Sequence, residues 1–443
     1  MRHWQSVFHP EVGAIDLRAA RTPAIVLCLW SAIWLSYPAE AEDQFAIRDG
    51  DTVAFLGDSI TAARTYGKLI EKFTLLRYPD RTVRFINAGI GGDTAVGGLK
   101  RLERDVFRHN VTLLTVAYGI NDIGWGLQAN DQHRQAYLDA IRGIVEACKT
   151  KGVRVYICSA AVTAEDPSES EDSFLQKMCD DGMAIAADNG QHSIDVQRAM
   201  RKIQRKVWQA NENNDDPQKK KSTLHAADGI HLNELGQLAM AFAILKGFGA
   251  PDRVSSATLD AATASIVESD GCHIADVKRT NDGLEFTRTD DGLPFNNGIF
   301  YTLNYRFVPV PTELNRYMVS VENLAPGRYR LRVSEREVGT WTAQRLAAGV
   351  NISSATASVW QPGGPWDVQA TVLKSLTDAR HHADTANRLS RAWNNKSAVV
   401  ESLQQQATLV NQKLEQMQRM TVKPRPYRFV LTRVEDEKQE DRK

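Results

Sequence analysis

Cysteine is scarce in this chain, and the few present form no recognisable pair. Of five cysteines, Cys28 falls in an N-terminal apolar segment, while Cys148, Cys158, Cys179 and Cys272 are scattered with no C-x-x-C spacing. That pattern argues against zinc. A chain of 443 residues can bury a core large enough to need no disulfide framework, although one bridge stays open in an oxidising compartment. Excess charge is missing too: Lys plus Arg and Asp plus Glu are 54 each. A balanced chain has no global field to attract nucleic acid or an anionic membrane. No apolar run reaches the about 20 residues of a comfortable membrane span, and no internal repeat is visible.

What is there begins with an unusual N-terminus. Arg18 and Arg21 precede an apolar run at 24–35, and "PAEA" places Ala39 and Ala41 in an A-x-A pattern. This reads as a secretory signal peptide over 1–41 with a long polar start, so the expected location is secreted or periplasmic. An uncleaved anchor is the alternative. Membrane association is not expected once the segment is removed.

From Thr52 onward, short apolar runs alternate with helical patterns. "TVAFLG" (52–57), "VRFINAG" (83–89), "TLLTVAYG" (112–119), "VRVYICSA" (153–160) and "HSIDV" (192–196) are strand candidates. Their near-continuous apolar character suits strands buried on both faces. A helix is expected from Asp131 to Lys149, closed by Gly152, and a last one follows Asn233 as N-cap and stops at Gly247. Such alternation predicts an α/β fold with a parallel sheet between helices. After Gly249 and Pro251 the texture changes. Residues 284–360 carry β-type runs, among them "GIFYTLNYRFVPV", "RYMVSVENL" and "GRYRLRVSE". Helical periodicity then runs from Trp366 to Met420, and "YRFVLTRV" (427–434) is one more strand. The expected division is a catalytic domain at 42–248, a β-rich domain with a helical hairpin at 249–434, and a disordered charged tail at 435–443.

Four stretches carry possible chemistry. "GDSIT" puts Ser59 just past the first strand, at the edge where open parallel sheets bind ligands. "NAGIGGDT" (87–94), "YGIND" (118–122) and "DGIHLN" (228–233) arrive at the same edge. Gly-Asp-Ser alone is also ordinary turn vocabulary. A nucleophilic serine needs a base, an orienter and oxyanion donors. His231 can be the base and Asp228, three residues earlier, can orient it. The Ser59 and Gly92 backbone N–H groups and the Asn121 amide can serve the oxyanion. Asp122 reads as a helix cap, and so does Asp93. His225 reads as an incidental loop histidine, His381 and His382 as part of a solvated face, and the lysines at 219–221 as exposed. G-x-S-x-G is absent, because position 61 is threonine.

In order, "GDSIT", "NAGIGGD", "GIND" and "DGIH" resemble blocks I, II, III and V of the SGNH hydrolases, the GDSL esterase and lipase family. The resemblance covers roughly 50–248. It implies a flavodoxin-like three-layer α/β/α domain with Ser59 as nucleophile, His231 as base and Asp228 completing the triad. By the same resemblance Ser59, Gly92 and Asn121 form the oxyanion hole, with no metal and no cofactor. The expected protein is a secreted serine esterase that removes O-acetyl groups from carbohydrates or hydrolyses other small-acyl esters. Alternatives are a lipase or lysophospholipase, and a sugar-binding protein that uses "WQPGGPW" (360–366) beside an idle hydrolase domain. No nucleic-acid partner is expected, and the oligomeric state is open.

Overall fold

A computed structural model describes residues 45–435 apart from 169, 215–220 and 394–397. The signal-peptide reading, Cys28, Lys219, Lys220 and nearly all of the charged tail lie outside the described residues.

The first half is the expected α/β unit. Strands β1 (Thr52–Gly57), β2 (Arg84–Gly89), β3 (Leu113–Ala117), β4 (Arg154–Cys158) and β5 (His192–Ile194) form one sheet in the order β2-β1-β3-β4-β5. Among the described residues, every strand pairing in it is parallel. That is the flavodoxin-like order, and its switch point lies between β1 and β3. All residues of β1 and β3 are buried, which explains why their sequences run apolar without alternation. Each such Val, Leu or Ile contributes roughly 1.5–3 kcal/mol by leaving water.

Helices α1 (Ser59–Ala62), α2 (Thr65–Arg77), α3 (Ala95–Lys100), α4 (Asp131–Lys151), α5 (Phe174–Asp188), α6 (Val196–Glu212) and α7 (Glu234–Gly247) connect or flank these strands. Gly152 ends α4 in the left-handed region, and the Asn233 side chain caps α7 by accepting from the Gly236 N–H at 3.1 Å.

The second half is richer in strands than its sequence suggests. β6 (Arg253–Asp260), β7 (Ser265–Asp270), β8 (Cys272–Thr280) and β9 (Gly283–Asp290) precede β10 (Arg316–Glu322), β11 (Arg328–Val333), β12 (Arg336–Thr342) and β13 (Val350–Asn351). Helices α8 (Pro365–Trp393) and α9 (Ala398–Val422) form the expected hairpin before β14 (Tyr427–Val434). Two sheets result, ordered β13-β10-β6-β7 and β12-β11-β14-β9-β8. The stretch 298–310 is a correction: it is not β but a helical turn at Ile299–Thr302 followed by a 3-10 turn at Leu303–Arg306. Phe307, Val308 and Val310 are buried while Phe300 and Leu303 are exposed, so the stretch has no alternating face. Trp366 is fully buried and packs on Tyr317 with ring centroids 4.9 Å apart. It is a core residue, whereas Trp360 is exposed. All four described cysteines are free, so the possible bridge is not made.

Helix α2 joins the two halves. Every residue from Tyr66 to Arg77 except Lys68 is buried. Arg77 donates to the carbonyls of Arg253 (2.6 Å) and Leu314 (2.7 Å), and Lys68 pairs with Asp378 of α8 at 2.6 Å. His381 contradicts the solvated-face reading: it is buried, 2.8 Å from Glu71, which also receives Arg380 and Gln418. The face of α8 that looks polar in sequence is covered by matching charges on α2. His382 is exposed.

Candidate active site

The end of β1 delivers the serine. Asp58 caps α1 by accepting from the Ile60 N–H at 2.9 Å, which makes Ser59 the first residue of that helix. A first-turn N–H has no intrahelical acceptor, so the Ser59 amide is available to an anion. β2 comes close beside it. A Cβ on Gly89 would sit 2.3 Å from the Ala62 nitrogen, so only glycine lets the two backbones meet. Gly92, three residues on, is exposed with φ of 71°, a conformation glycine adopts without strain.

The histidine arrives on a closed loop. His225 and Leu232 form an antiparallel bridge, and the Ala226 N–H donates to the His231 carbonyl at 2.7 Å. Asn233 adds its amide, which donates to the carbonyls of Thr223 and His225. His225 is therefore not incidental. It is buried, and its Nε2–H donates to the Val162 carbonyl at 2.8 Å.

At the loop's tip, Asp228 Oδ1 accepts from the Ile230 and His231 N–H groups, each at 2.9 Å. Its Oδ2 lies 2.6 Å from His231 Nδ1, and His231 Nε2 lies 2.8 Å from Ser59 Oγ. The bond to His231 and the two backbone donors hold the Asp228 carboxyl down at about 2. An ionised carboxylate only accepts, so Nδ1 carries the proton and Nε2 faces the serine as an acceptor. The structure thus brings Ser59, His231 and Asp228 into one relay.

Asn121 stands after β3. Its Nδ2 donates to the Asp93 carbonyl at 3.0 Å and lies 3.5 Å from Asp58 Oδ2. Two carboxylates behind it were read differently from sequence. Asp93 does not cap α3: Thr94 does, accepting from the Gly97 N–H. Asp93 instead binds Arg101 at 2.7 Å and the Tyr118 hydroxyl at 2.8 Å. Asp122 does act as a cap, but across the sheet. It accepts from the Ala95 N–H at the start of α3 and from the Gly119 N–H, both at 2.9 Å. Burial pushes the carboxyls of Asp58 and Asp122 up to about 6, against the backbone N–H groups that each accepts from.

Sequence reasoning gave no role to Asp58, although it quoted the residue, and it passed over Trp125 and Arg388. Trp125 donates its indole N–H to Asn121 Oδ1 at 2.8 Å. Arg388, from α8, donates to the Gly89 carbonyl at 2.8 Å. The "GWG" at 124–126, a bulky residue between two glycines, was a legible signal. Arg388 had none, because its contact spans 299 positions.

The surface here is open. Ile90, Trp125 and Leu127 are exposed at 38, 51 and 92%. A cavity behind Asp58 and Ile60 holds only about 10 Å³, too little for an acyl chain. A larger cavity of about 420 Å³ is lined by Trp208, Asn211, Leu224 and His225, but by none of Ser59, Asp228 and His231. Among the described residues, no cluster of three or more His, Cys, Asp or Glu could hold a metal, and no helix is long and apolar enough to cross a membrane.

This geometry has a family. Residues 55–239 match the GDSL-like Lipase/Acylhydrolase family, and every block described above lies within that span or at its edge. The chain carries an SGNH-type hydrolase domain and is a carboxylic ester hydrolase. No curated protein matches the chain by sequence. Among solved structures it is similar to BT4096, a gut microbial diltiazem-metabolizing enzyme, at 22% identity and a TM-score of 0.75. That match covers 88% of this chain and all of the other. So large a share means that the common fold extends into the C-terminal sheets. It is also similar to Axe2, an acetylxylan esterase from Geobacillus stearothermophilus, at 20% identity and a TM-score of 0.39, over 46% of this chain and 96% of that one. LAE5, an alpha/beta hydrolase enzyme from the metagenome of Lake Arreo, Spain, is similar at 23% identity and 0.39, over 46% and 98%.

Proposed function

We propose that Ser59 is the nucleophile of this ester hydrolase, His231 its general base and Asp228 the group that orients His231. The observation that carries the reading is the unbroken relay from Asp228 through His231 to Ser59, at 2.6 and 2.8 Å. As Ser59 Oγ attacks the ester carbonyl, its proton moves to His231 Nε2. The Ser59 and Gly92 N–H groups and the Asn121 amide receive the oxyanion. Collapse breaks the bond to the alcohol, which leaves with the proton from Nε2. Water, deprotonated by the same nitrogen, then attacks the acyl-enzyme and frees Ser59. Ser59→Ala should abolish ester turnover and fluorophosphonate labelling while leaving the melting temperature unchanged. Turnover close to wild type by that variant would sink the assignment.

For substrate, the same proposal names short acyl groups, acetyl first, on carbohydrate alcohols. The open site supports it, since the cavity beside Asp58 and Ile60 holds only about 10 Å³ and has no room for a long chain. The exposed Ile90 and Leu127 favour the second reading, a longer-chain acyl hydrolase. A p-nitrophenyl ester series separates the two: activity falling beyond short acyl chains supports the first, and activity rising with length supports the second. Export belongs to the proposal as well, with cleavage after Ala41, so the mature protein should begin at Glu42 on N-terminal sequencing. So does the division at Gly249–Pro251 into a catalytic part and a β-rich part that helps hold a polymeric substrate.

A further inference from the structure

Three consecutive residues, Gly124, Trp125 and Gly126, hold φ of 53°, 56° and 93°. Glycine takes such values freely, but for a bulky residue they mark a genuine outlier. The strained backbone returns the Trp125 N–H to the Ile120 carbonyl at 2.9 Å and turns its side chain back over the site. There the indole N–H reaches Asn121 Oδ1 at 2.8 Å, and the ring meets His231 edge to face with centroids 5.9 Å apart. Half of the residue stays exposed even so. Burying the other half is worth about 2–3 kcal/mol, no more than offsetting the about 1–3 kcal/mol of backbone strain, so hydrophobic packing alone gives no net reason for this conformation. Strain held beside reacting groups points to function.

The chemistry of the contact is directional. A carboxamide can rotate to present either its oxygen or its nitrogen, but an indole N–H only donates. The atom of Asn121 that faces Trp125 must be the oxygen, so Nδ2 is committed to the opposite side. One Nδ2 hydrogen goes to the Asp93 carbonyl at 3.0 Å, and the other meets Asp58 Oδ2 only at 3.5 Å, a contact long enough to be given up to the oxyanion. Without the indole, the amide can turn its oxygen toward the developing negative charge, where it repels.

We propose that Trp125 is a positioning residue: its indole N–H fixes the Asn121 amide as an oxyanion donor, and its exposed ring forms a wall for the alcohol half of the ester. This rests on the reading of Ser59 as nucleophile, which the Ser59→Ala variant tests on its own.

The experiment uses the full chain with p-nitrophenyl acetate and an acetylated xylo-oligosaccharide. Trp125→Phe keeps a ring and loses the N–H. Its kcat should fall about tenfold, as for one lost hydrogen bond in the transition state, with KM for p-nitrophenyl acetate little changed. Asn121→Ala should cost about 10²–10³. Adding Trp125→Phe to Asn121→Ala should cost nothing more, because the indole then has no amide to hold. Trp125→Gly relieves the left-handed strain, so it should melt no lower than wild type while losing at least as much kcat as Trp125→Phe, and it should raise KM for the oligosaccharide. A purely structural tryptophan would do the reverse, lowering the melting temperature and sparing kcat. An unchanged kcat in Trp125→Phe overturns the proposal. So does a loss that multiplies in full with that of Asn121→Ala, which would place the action elsewhere, on His231 for instance. Should Trp125→Phe fail to fold, the Trp125→Gly variant and its combination with Asn121→Ala decide by the same criteria.

Discussion

Asparagine at position 228 is a sharper test of the relay than alanine, because the loop dictates how it must sit. Asp228 Oδ1 accepts two backbone N–H groups, from Ile230 and His231, and Oδ2 accepts the imidazole proton. Asparagine has one oxygen to offer. Two backbone donors against one imidazole keep that oxygen on the backbone and leave the amide nitrogen facing Nδ1. That nitrogen only donates, so Nδ1 must accept and the ring proton moves to Nε2. Nε2–H then meets the Ser59 hydroxyl as a donor and cannot take its proton. The equivalent wrong-tautomer substitution in a serine protease costs about 10⁴ in kcat, and a similar loss is expected here with the fold unchanged. It should stay smaller than the roughly 10⁶ of removing the nucleophile. Turnover of p-nitrophenyl acetate gives the rate, and nitrogen NMR of the imidazole reports which nitrogen is protonated. An Asp228→Asn variant within tenfold of wild type, or one that still protonates Nδ1, refutes the reasoning. In the wild type, a carboxyl depressed to about 2 adds stability that is present above its ordinary unfolded value of about 4 and is lost as pH falls through 2. Neutral and mildly acidic assays therefore leave the orienter charged.

Two further tests concern the seam between the halves. Burial pushes the Glu71 carboxyl up, but Arg380, His381 and Gln418 outweigh it and bring it to about 2. Its stabilising contribution is thus present above about 4.5 and lost as pH falls toward 2. Glu71→Gln should take from Arg380 its nearest carboxylate, leaving Glu415 at 3.9 Å, and cost up to about 3–5 kcal/mol in denaturant unfolding; a cost under 1 kcal/mol would mean that the network is solvated. A chain of residues 42–248 would uncover Lys68, Glu71, Lys72 and Arg77, charges that water can take up. It should stay soluble and hydrolyse p-nitrophenyl acetate at the reduced rate that losing Arg388 brings, and lose far more than that on an acetylated polymer. Equal activity on the polymer would remove any substrate-binding part for the second half.

How much could be read in advance follows from the distance over which each feature is determined. β1 and β14 match their predicted bounds because apolar runs between turn residues are local signals. The four blocks were legible for the same reason: each packs its chemistry into a few adjacent residues. The helical turns at 299–306 were misread because a run rich in aromatic and apolar residues imitates a strand, although Phe300 and Leu303 are in fact exposed. β7 was invisible for the opposite reason, since all six of its residues are exposed and leave no apolar pattern. His381 looked solvated because its neighbours are polar, and only the fold shows that α2 supplies the matching charges.

That seam bears on the site itself. Down α8, Asp378 meets Lys68, His381 meets Glu71, Asp384 meets Arg64 at 2.6 Å, and Arg388 meets the Gly89 carbonyl. The series lines α2 and the residue before it, and it ends on the strand that leads into Gly92. Arg64 shares a property with Trp125: it is a large residue in the left-handed region, with φ of 66°, and its guanidinium lies 3.2 Å from His381 Nδ1. One strained residue therefore ties the junction between the serine's helix and α2 to the C-terminal hairpin, and the other holds Asn121. An enzyme that needed only its α/β unit would have no use for a helix from the far end of the chain bonded to the carbonyl before its oxyanion loop. The arrangement argues that the hairpin supports the geometry of that loop. If so, Arg388→Ala should lower kcat for even the smallest ester, where polymer binding plays no part.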